Sequence, residues 1–218
     1  MRVCLASTSP ARLMLLRQAG IEPVALAPDV DEDEVTREAS SARELSISEN
    51  VLLLAQAKAA EVARRVHEVY PDFDGVVIGG DSMFALDDKV FGKPHTAERA
   101  TERWHSMRGR TGVLHSGHSV VRVAPGSPPQ ERSAVAEASV TFVDDISDAE
   151  IDAYVATGEP LGVAGAFTVD SLGGAFIERV EGDPSTVVGM SLSTVRRLVA
   201  EVGVSWTDLW NRHARSDT

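Results

Sequence analysis

Apolar runs typical of β-strands alternate along this chain with amphipathic helical segments, and this alternation restricts the possible folds more than any other feature of the sequence. The strand-like runs are RVCLA, PVALA, GVVIGGD, VLHSGHSVVRVA, AVAEASVTFV and, more weakly, GAFIERV. MFALDDKVFG indicates a strand, a turn and a strand, and the two runs between residues 111 and 144 indicate an antiparallel pair. We therefore predict an α/β fold with a mixed sheet and flanking helices.

The helical segments carry recognisable start signals. Pro10 stands at the first position of the first helix, where a missing N–H costs nothing. Ser46 with Glu49, and Ser147 with Glu150, have the spacing of a capping box. TAERATERWHSMRG and SLSTVRRLVAEVG are two further helical segments, and each ends with glycine.

Length and charge limit the classes of function. The 218 residues are enough for one α/β domain, 1–218, with one lobe or two lobes around a cleft. Residues 204–218 are predicted to form a C-terminal tail with a short docked helix. Acidic residues outnumber basic ones 33 to 21, and the net charge of -12 disfavours a nucleic-acid polymer as partner. A small phosphorylated ligand remains compatible with a local cluster of cations.

Cysteine content and hydropathy indicate the compartment. The single cysteine, Cys4, cannot form an internal disulfide, so nothing in the sequence points to an oxidising compartment. The sequence has no run of 18 or more apolar residues and no charged-then-apolar signal at its start. We expect a cytoplasmic protein without a membrane partner.

A strand-to-helix turn in LASTSPARLMLL concentrates polar groups. Ser7, Thr8 and Ser9 lie between the strand and the helix, and Arg12 follows within the helix. Hydroxyls, free backbone N–H groups and a cation at one helix start are typical of an anion-binding turn. An ordinary helix cap has a similar sequence, so both interpretations remain open at this point.

Asp81 follows the apolar run Val76–Ile78 and two glycines. Because open α/β sheets bind ligands at the carboxyl ends of their strands, a carboxylate at this place is a candidate functional group. Gly79 and Gly80 leave no side chain that could obstruct a ligand approaching the backbone. A turn aspartate or a helix cap is the alternative, although no clear helix follows at once.

Two lysines stand where the surrounding pattern does not explain them. Lys58 lies in the apolar stripe of the long helix, between Leu54 and Val62. It must therefore either reach the surface at the edge of the stripe or point into a polar cleft with an anionic partner. Lys93 stands in FGKPH, where Pro94 favours an extended backbone and a fixed direction for the lysine; a plain surface turn is the alternative.

The acidic run DVDEDE, residues 29–34, is most simply a solvated loop. Its functional alternative is that one carboxylate helps to hold a divalent cation, since nucleotide-bound Mg²⁺ takes one or two carboxylates together with phosphate oxygens and water. The sequence lacks HExxH, paired cysteines, GxxxxGK[ST] and GxSxG, and His115 and His118 should face opposite sides of a strand. A zinc enzyme, a P-loop NTPase and a serine hydrolase are therefore disfavoured.

These residues together suit one kind of chemistry. Hydrolysis of a phosphoanhydride needs cations that take up negative charge, a metal ion, and a base that activates water. The hydroxyl-rich turn with Arg12, the two lysines and the carboxylates meet these needs, so the sequence favours such a hydrolase.

Seven segments also match a known family in order and spacing: LASTSPAR, VDE, LAQAKA, GGDS, FGKP, AYVATGEP…AGAF and GDPSTVVGMSL. They resemble the Maf family of nucleoside triphosphate pyrophosphatases from the first segment to about Gly203. The resemblance implies hydrolysis of nucleoside triphosphates, normal or modified, to the monophosphate and pyrophosphate. It also implies an elongated mixed α/β fold with a deep cleft, similar to the inosine triphosphatases, and a homodimer, which is common in the family.

The resemblance assigns roles to the catalytic and metal-binding positions. Asp81 would be the proton acceptor that activates water, and Lys58 and Lys93 would act with it at the phosphates. Glu32, together with Asp81, would bind the divalent cation, which is Mg²⁺, Mn²⁺ or Co²⁺.

At the substrate, the resemblance implies that Ser7 and Arg12 hold phosphate groups. The chain departs from the family at three positions that are tied to base selection there. They are Ala11, where a second arginine is frequent; Ser82, where many members have threonine; and Asp170, where glutamine is common. The preferred base is therefore not implied.

A non-catalytic nucleotide-binding regulator of cell division is the alternative, since family members have been linked to septum formation and arrest of division. Such a protein would bind nucleotide with the same cations and release no pyrophosphate. Carboxylates at positions 32 and 81 favour the enzyme, because negative charge beside phosphates does not help a pure binder. Hydrolysis of another phosphate ester is a third interpretation and would release orthophosphate.

Overall fold

The protein is described by a computed structural model for residues 1–87 and 89–211. The strands are β1 (Arg2–Ala6), β2 (Val24–Ala25), β3 (Gly75–Leu86), β4 (Lys89–Phe91), β5 (Thr111–Val123), β6 (Gln130–Phe142) and β7 (Ile177–Gly182). Within the described residues these seven strands form one sheet in the order β2-β1-β3-β5-β6-β7, with β4 beside β3.

The sheet is mixed, as the sequence predicts. β1 is parallel to β2 and β3, whereas β3, β5, β6 and β7 pair antiparallel along the sheet. β5 and β6 are the antiparallel pair expected between residues 111 and 144. β3 has 12 residues and β5 and β6 have 13 each, and these long central strands make the sheet elongated.

The α-helices are α1 (Pro10–Gln18), α2 (Glu32–Ala39), α3 (Ile47–Val69), α4 (Ala97–Met107), α5 (Asp148–Ala156), α6 (Pro184–Val188) and α7 (Leu192–Glu201). Both predicted capping boxes form, at the starts of α3 and α5. A 3₁₀ turn at Trp206–Leu209 is the docked helix of the predicted tail, of which residues 212–218 lie outside the described part. A single domain over 1–218 stays a prediction.

Among the described residues, no helix combines the length and the apolar character that a membrane crossing requires.

Helices cover both faces of the sheet. Val77 packs with Val62 and Val66 of α3 on one face. Its neighbours along the strand, Val76 and Ile78, pack with α1 and α7 on the other. A strand that is buried on both faces reads as a continuous apolar run, which is why the sequence signal at this strand is strong.

Gly79 and Gly117 allow α3 to lie against the sheet. A Cβ at Gly79 would overlap the backbone carbonyl of Ala55, and one at Gly117 would overlap that of Val51. The prediction that Gly79 leaves space for a ligand is therefore wrong, because the backbone of α3 occupies that space.

Two local predictions are also corrected. The acidic run is not a loop throughout, because Asp31 caps α2 and the helix begins at Glu32. Carboxylates are favourable at this end of a helix, where backbone N–H groups are free. Asp81 does not follow the end of a strand, since β3 continues to Leu86, so this carboxylate lies in mid-strand.

Candidate active site

A cleft of about 700 Å³ lies beside the start of α1 and the middle of β3. Every residue that the sequence analysis assigned to catalysis, substrate or metal contributes to its lining: Ser7, Ala11, Arg12, Glu32, Lys58, Asp81, Ser82, Lys93 and Asp170. These positions span more than 160 residues of sequence, so the fold brings them together.

Lys58 bridges two carboxylates in this cleft. Its Nζ lies 2.7 Å from Asp81 Oδ1 and 2.8 Å from Glu32 Oε1. The side chains of Lys58 and Asp81 are 8% and 13% exposed, whereas that of Glu32 is 51% exposed. Of the two alternatives for Lys58, the structure therefore shows the polar cleft with anionic partners.

Three elements bring this trio together. Lys58 is on α3, Asp81 on β3, and Glu32 is the first residue of α2. Gly79 and Asp81 point to the same face of the strand because they are two positions apart. The close approach of α3 at Gly79 is thus what brings the lysine within hydrogen-bond distance of Asp81.

The turn before α1 combines helix capping with an arrangement of donors. Ser9 Oγ accepts the backbone N–H of Arg12 at 3.4 Å, so Ser9 caps α1. Ser7 Oγ accepts the backbone N–H of Ser9 at 3.1 Å and an Nη1 hydrogen of Arg12 at 3.4 Å. Capping and the orientation of Arg12 are therefore compatible.

The Arg12 guanidinium is held by neutral acceptors. Its Nε donates to the carbonyl oxygen of Gly189 at 2.9 Å and its Nη2 to Ser82 Oγ at 3.1 Å. Burial lowers the pKa of Arg12, and the charges of Asp81 and Glu32 oppose that shift. Three of the five N–H groups of Arg12 are bound to described residues, and the other two have no partner among those residues and could bind an anion.

Sequence reasoning missed the partners of Arg12 beyond the turn. Gly189 lies 177 positions away in sequence, and the contact uses its backbone carbonyl, which no side-chain pattern reveals. Ser116 was also missed; its Oγ lies 2.8 Å from Ser82 Oγ and donates to Gly189 O at 3.4 Å. The motif GDPSTVVGMSL, which contains Gly189, was the available signal.

The remaining predicted residues line the cleft without such bonds. Lys93 and Asp170 are exposed, and within the described part of the chain neither side chain makes a hydrogen bond or an ion pair. Ala11 places a methyl group in the cleft wall beside Arg12. The cleft therefore carries free groups of both signs at its rim and bound groups deeper inside.

Comparison with known proteins identifies the family. The family model described as Maf-like protein matches residues 2–202. The chain belongs to the Maf-like family. This confirms the resemblance found in the sequence.

Curated relatives of this Maf-like chain match it over nearly its whole length. A protein of Leifsonia xyli subsp. xyli called nucleoside triphosphate pyrophosphatase is 56% identical over 97% of this chain and 98% of its own. One of Cutibacterium acnes with the same name is 47% identical over 95% of this chain and 93% of its own.

Among solved structures, the Ham1 protein of Staphylococcus aureus matches 66% of this chain and 73% of its own, with a TM-score of 0.35 and 9% identity. A likeness of this degree is too low to extend the comparison of folds. The expected similarity to inosine triphosphatases stays a prediction.

Proposed function

We propose that this chain is a nucleoside triphosphate pyrophosphatase, which hydrolyses nucleoside triphosphates to the monophosphate and pyrophosphate. The observation that carries the proposal is the pair of carboxylates, Glu32 and Asp81, that share the Lys58 ammonium in a cleft with Arg12. Relatives that are 56% and 47% identical bear this enzyme name, which supports the same chemistry.

In the proposed reaction Asp81 is the base. It accepts a proton from a water molecule whose oxygen attacks the α-phosphorus, and the bond to the bridging oxygen breaks so that its electron pair leaves with pyrophosphate. Lys58 holds Asp81 Oδ1 at 2.7 Å, and Oδ2 makes no hydrogen bond to any described residue. Arg12 and Lys93 offset the negative charge on the phosphate oxygens.

The residues fit a divalent cation at the same place. Oxygens of Glu32 and Asp81 converge on one ammonium, and carboxylate oxygens are the ligands that Mg²⁺ and Mn²⁺ prefer. The described residues hold no cluster of three or more His, Cys, Asp or Glu side chains that could bind a metal, so phosphate and water would complete the ligand set. Glu32 and Asp81 would hold Mg²⁺, Mn²⁺ or Co²⁺, which would supply positive charge to the phosphates.

The proposal also covers the residues that contact the nucleobase, the cellular compartment and the partners of the enzyme. We assign Asp170 to the nucleobase, together with Ala11 and Ser82, and the substrate is a normal or a modified nucleotide. We also propose a cytoplasmic enzyme, a homodimer, and no nucleic-acid polymer or membrane as partner. The net charge of -12 supports the exclusion of a nucleic-acid polymer.

The test is pyrophosphate release from a panel of normal and modified nucleoside triphosphates with Mg²⁺, Mn²⁺ or Co²⁺. Because Asp81→Asn removes the base and keeps the shape, we expect it to lower the rate by at least about 100-fold while it folds normally. Asp152→Asn is the matched control: Asp152 is exposed on α5, outside the cleft, and its loss should leave the rate unchanged.

Each outcome has a definite meaning. Metal-dependent pyrophosphate release that Asp81→Asn loses and Asp152→Asn keeps supports the proposal. Near-normal turnover by Asp81→Asn overturns the assignment of the base. Tight nucleotide binding without release favours the non-catalytic regulator, and release of orthophosphate favours hydrolysis of another phosphate ester.

A further inference from the structure

One backbone carbonyl, that of Gly189, collects three donors from the active site. It accepts Arg12 Nε at 2.9 Å, Ser82 Oγ at 3.2 Å and Ser116 Oγ at 3.4 Å. The direction of the Arg12 guanidinium therefore depends on where this carbonyl stands. Gly189 itself has a φ of +123° between α6 and α7, a conformation that glycine adopts readily and other residues rarely do.

The segment 183–193, which we name the carbonyl loop, is tied to Asp183 at its base. Asp183 Oδ1 accepts the backbone N–H and the hydroxyl of Ser185, at 2.9 and 2.6 Å. Its Oδ2 accepts the hydroxyls of Ser191 and Ser193, both at 2.7 Å. These bonds fix both ends of the carbonyl loop, and in its middle the Gly189 N–H donates to the backbone carbonyl oxygens of Ser185 and Thr186 at 3.3 and 2.9 Å.

His118 adds a contact from the sheet, through β5. Its Nε2 accepts the backbone N–H of Ser191 at 2.9 Å, two residues after Gly189. The imidazole is completely buried and does not line the cleft. Burial, and next the charge of Arg12, lower the pKa of His118 to about 4, so at neutral pH the ring is uncharged and can accept this hydrogen bond.

We propose that His118 is a positioning residue for Arg12, acting through the Ser191 N–H and the carbonyl of Gly189. The proposal deepens the proposed function and rests on it for the role of Arg12. A buried acceptor that is neutral at working pH holds the loop without adding charge beside the guanidinium. His118 therefore affects the triphosphate only through the orientation of Arg12.

Two substitutions at His118 separate this role from packing. His118→Gln keeps an acceptor near the position of Nε2, whereas His118→Leu removes it and leaves the Ser191 N–H without a partner. Thr186→Val is the matched control in the carbonyl loop: Thr186 is completely buried, and its hydroxyl has no partner among the described residues. Melting temperatures identify any variant that fails to fold.

The readout is a double-mutant cycle between His118→Leu and Arg12→Ala. The first measured quantity is the dissociation constant of inorganic tripolyphosphate with Mg²⁺, a ligand that lacks a nucleobase and whose binding needs no turnover. The second is KM for the best nucleotide of the panel. We expect His118→Leu to raise both constants about tenfold alone and less than twofold in the Arg12→Ala background, with little change in kcat. His118→Gln and Thr186→Val should stay within about twofold of the unmodified protein.

The outcomes distinguish the inference from the proposed function. Equal effects of His118→Leu in both backgrounds overturn the inference and leave the function intact if pyrophosphate is released. A tenfold effect on tripolyphosphate binding that vanishes without Arg12, in a protein that releases no pyrophosphate, supports the inference and overturns the function. Failure of tripolyphosphate to bind overturns the inference. The proposed function is then tested separately by pyrophosphate release.

Discussion

The Lys58 ammonium serves two carboxylates that differ in their access to water. Glu32 is 51% exposed and can be solvated without the lysine, but Asp81 is 13% exposed. A charge that is mostly removed from water needs a partner, since its desolvation is otherwise uncompensated. The link between Lys58 and Asp81 is therefore the one that matters for stability, and both links matter for the proposed chemistry.

Lys58→Met tests this link because methionine also has a long unbranched side chain but carries no charge. We expect the free energy of unfolding to fall by about 2 kcal/mol, since Asp81 loses its partner. We expect kcat to fall on the order of 100-fold, since Asp81 is no longer oriented beside the phosphates. Urea unfolding and pyrophosphate release measure the two effects.

The double variant Lys58→Met, Asp81→Asn is the control for the first effect. It removes both charges, so stability should return while activity stays lost. Full activity of Lys58→Met would contradict the proposed role, and an unchanged stability would show that water, instead of the lysine, solvates Asp81.

At the scale of elements, the contact between α3 and β3 creates the site. Ala55, Ala59 and Lys58 lie on the helix face toward the sheet, and Gly79 and Asp81 lie on the matching strand face. Small residues allow the two backbones to approach closely. A larger separation would place the lysine and the aspartate beyond hydrogen-bond distance.

Gly79→Ala tests the close approach. The added methyl group would meet the Ala55 carbonyl and lie 2.8 Å from Ala59 Cβ. Because neither can move without shifting the helix, we expect the free energy of unfolding to fall by at least about 2 kcal/mol in urea unfolding.

Gly162→Ala is the matched control for this substitution. No atom lies within 4 Å of a Cβ at that position, so its effect should stay within about 0.5 kcal/mol. Equal stabilities of the two variants would mean that α3 does not pack closely against the sheet at Gly79.

At the scale of the whole molecule, two polar networks make stability depend on pH. The first is the neutral imidazole of His118, whose pKa is lowered from 6.5 to about 4 by burial and by Arg12. The second is Glu159, which accepts Tyr154 Oη at 3.0 Å and Ser171 Oγ at 2.7 Å. Burial opposes ionisation of Glu159, but its hydrogen bonds outweigh burial and lower its pKa from 4.5 to about 2.

Both shifts have the same sign in the pH dependence of stability. In each case the unfolded chain takes up a proton at a higher pH than the folded protein does, so acidification favours unfolding. We expect the free energy of unfolding to decrease from pH 6.5 to 4 through His118, by at most about 3 kcal/mol. Glu159 contributes to a second decrease, from pH 4.5 to 2, together with Asp183 and Glu49, whose pKa values are also lowered.

Urea unfolding at a series of pH values measures both windows. His118→Gln should flatten the upper window and leave the lower one, whereas Glu159→Gln should reduce the lower decrease and leave the upper one. A pH profile that neither variant changes would assign the acid sensitivity to other groups.

Much of the fold could be predicted from the sequence because its signals are local. Continuous apolar runs predicted the central strands, Ser46 and Ser147 predicted two helix starts, and Pro10 predicted a third. The short helix α2 was missed, since a run of carboxylates suits a solvated loop as well as a helix N-terminus. The predicted end of β3 was wrong because Gly79 and Gly80 were taken as the end of the strand. In the structure these glycines lie within β3, Gly79 under α3 and Gly80 beside Arg12.

The sequence alone determined the residue types that a phosphoanhydride hydrolase needs. They are Lys58 in the apolar stripe of its helix, the carboxylates and the hydroxyl-rich turn. Only the tertiary structure decided which groups meet. Lys58 reaches Asp81 and Glu32 through the packing of α3, and Arg12 meets a backbone carbonyl 177 positions away. Such contacts depend on distances between elements, which local patterns do not encode, and on backbone groups that every residue has. For that reason the contacts of Gly189 and His118 were found only in the tertiary structure.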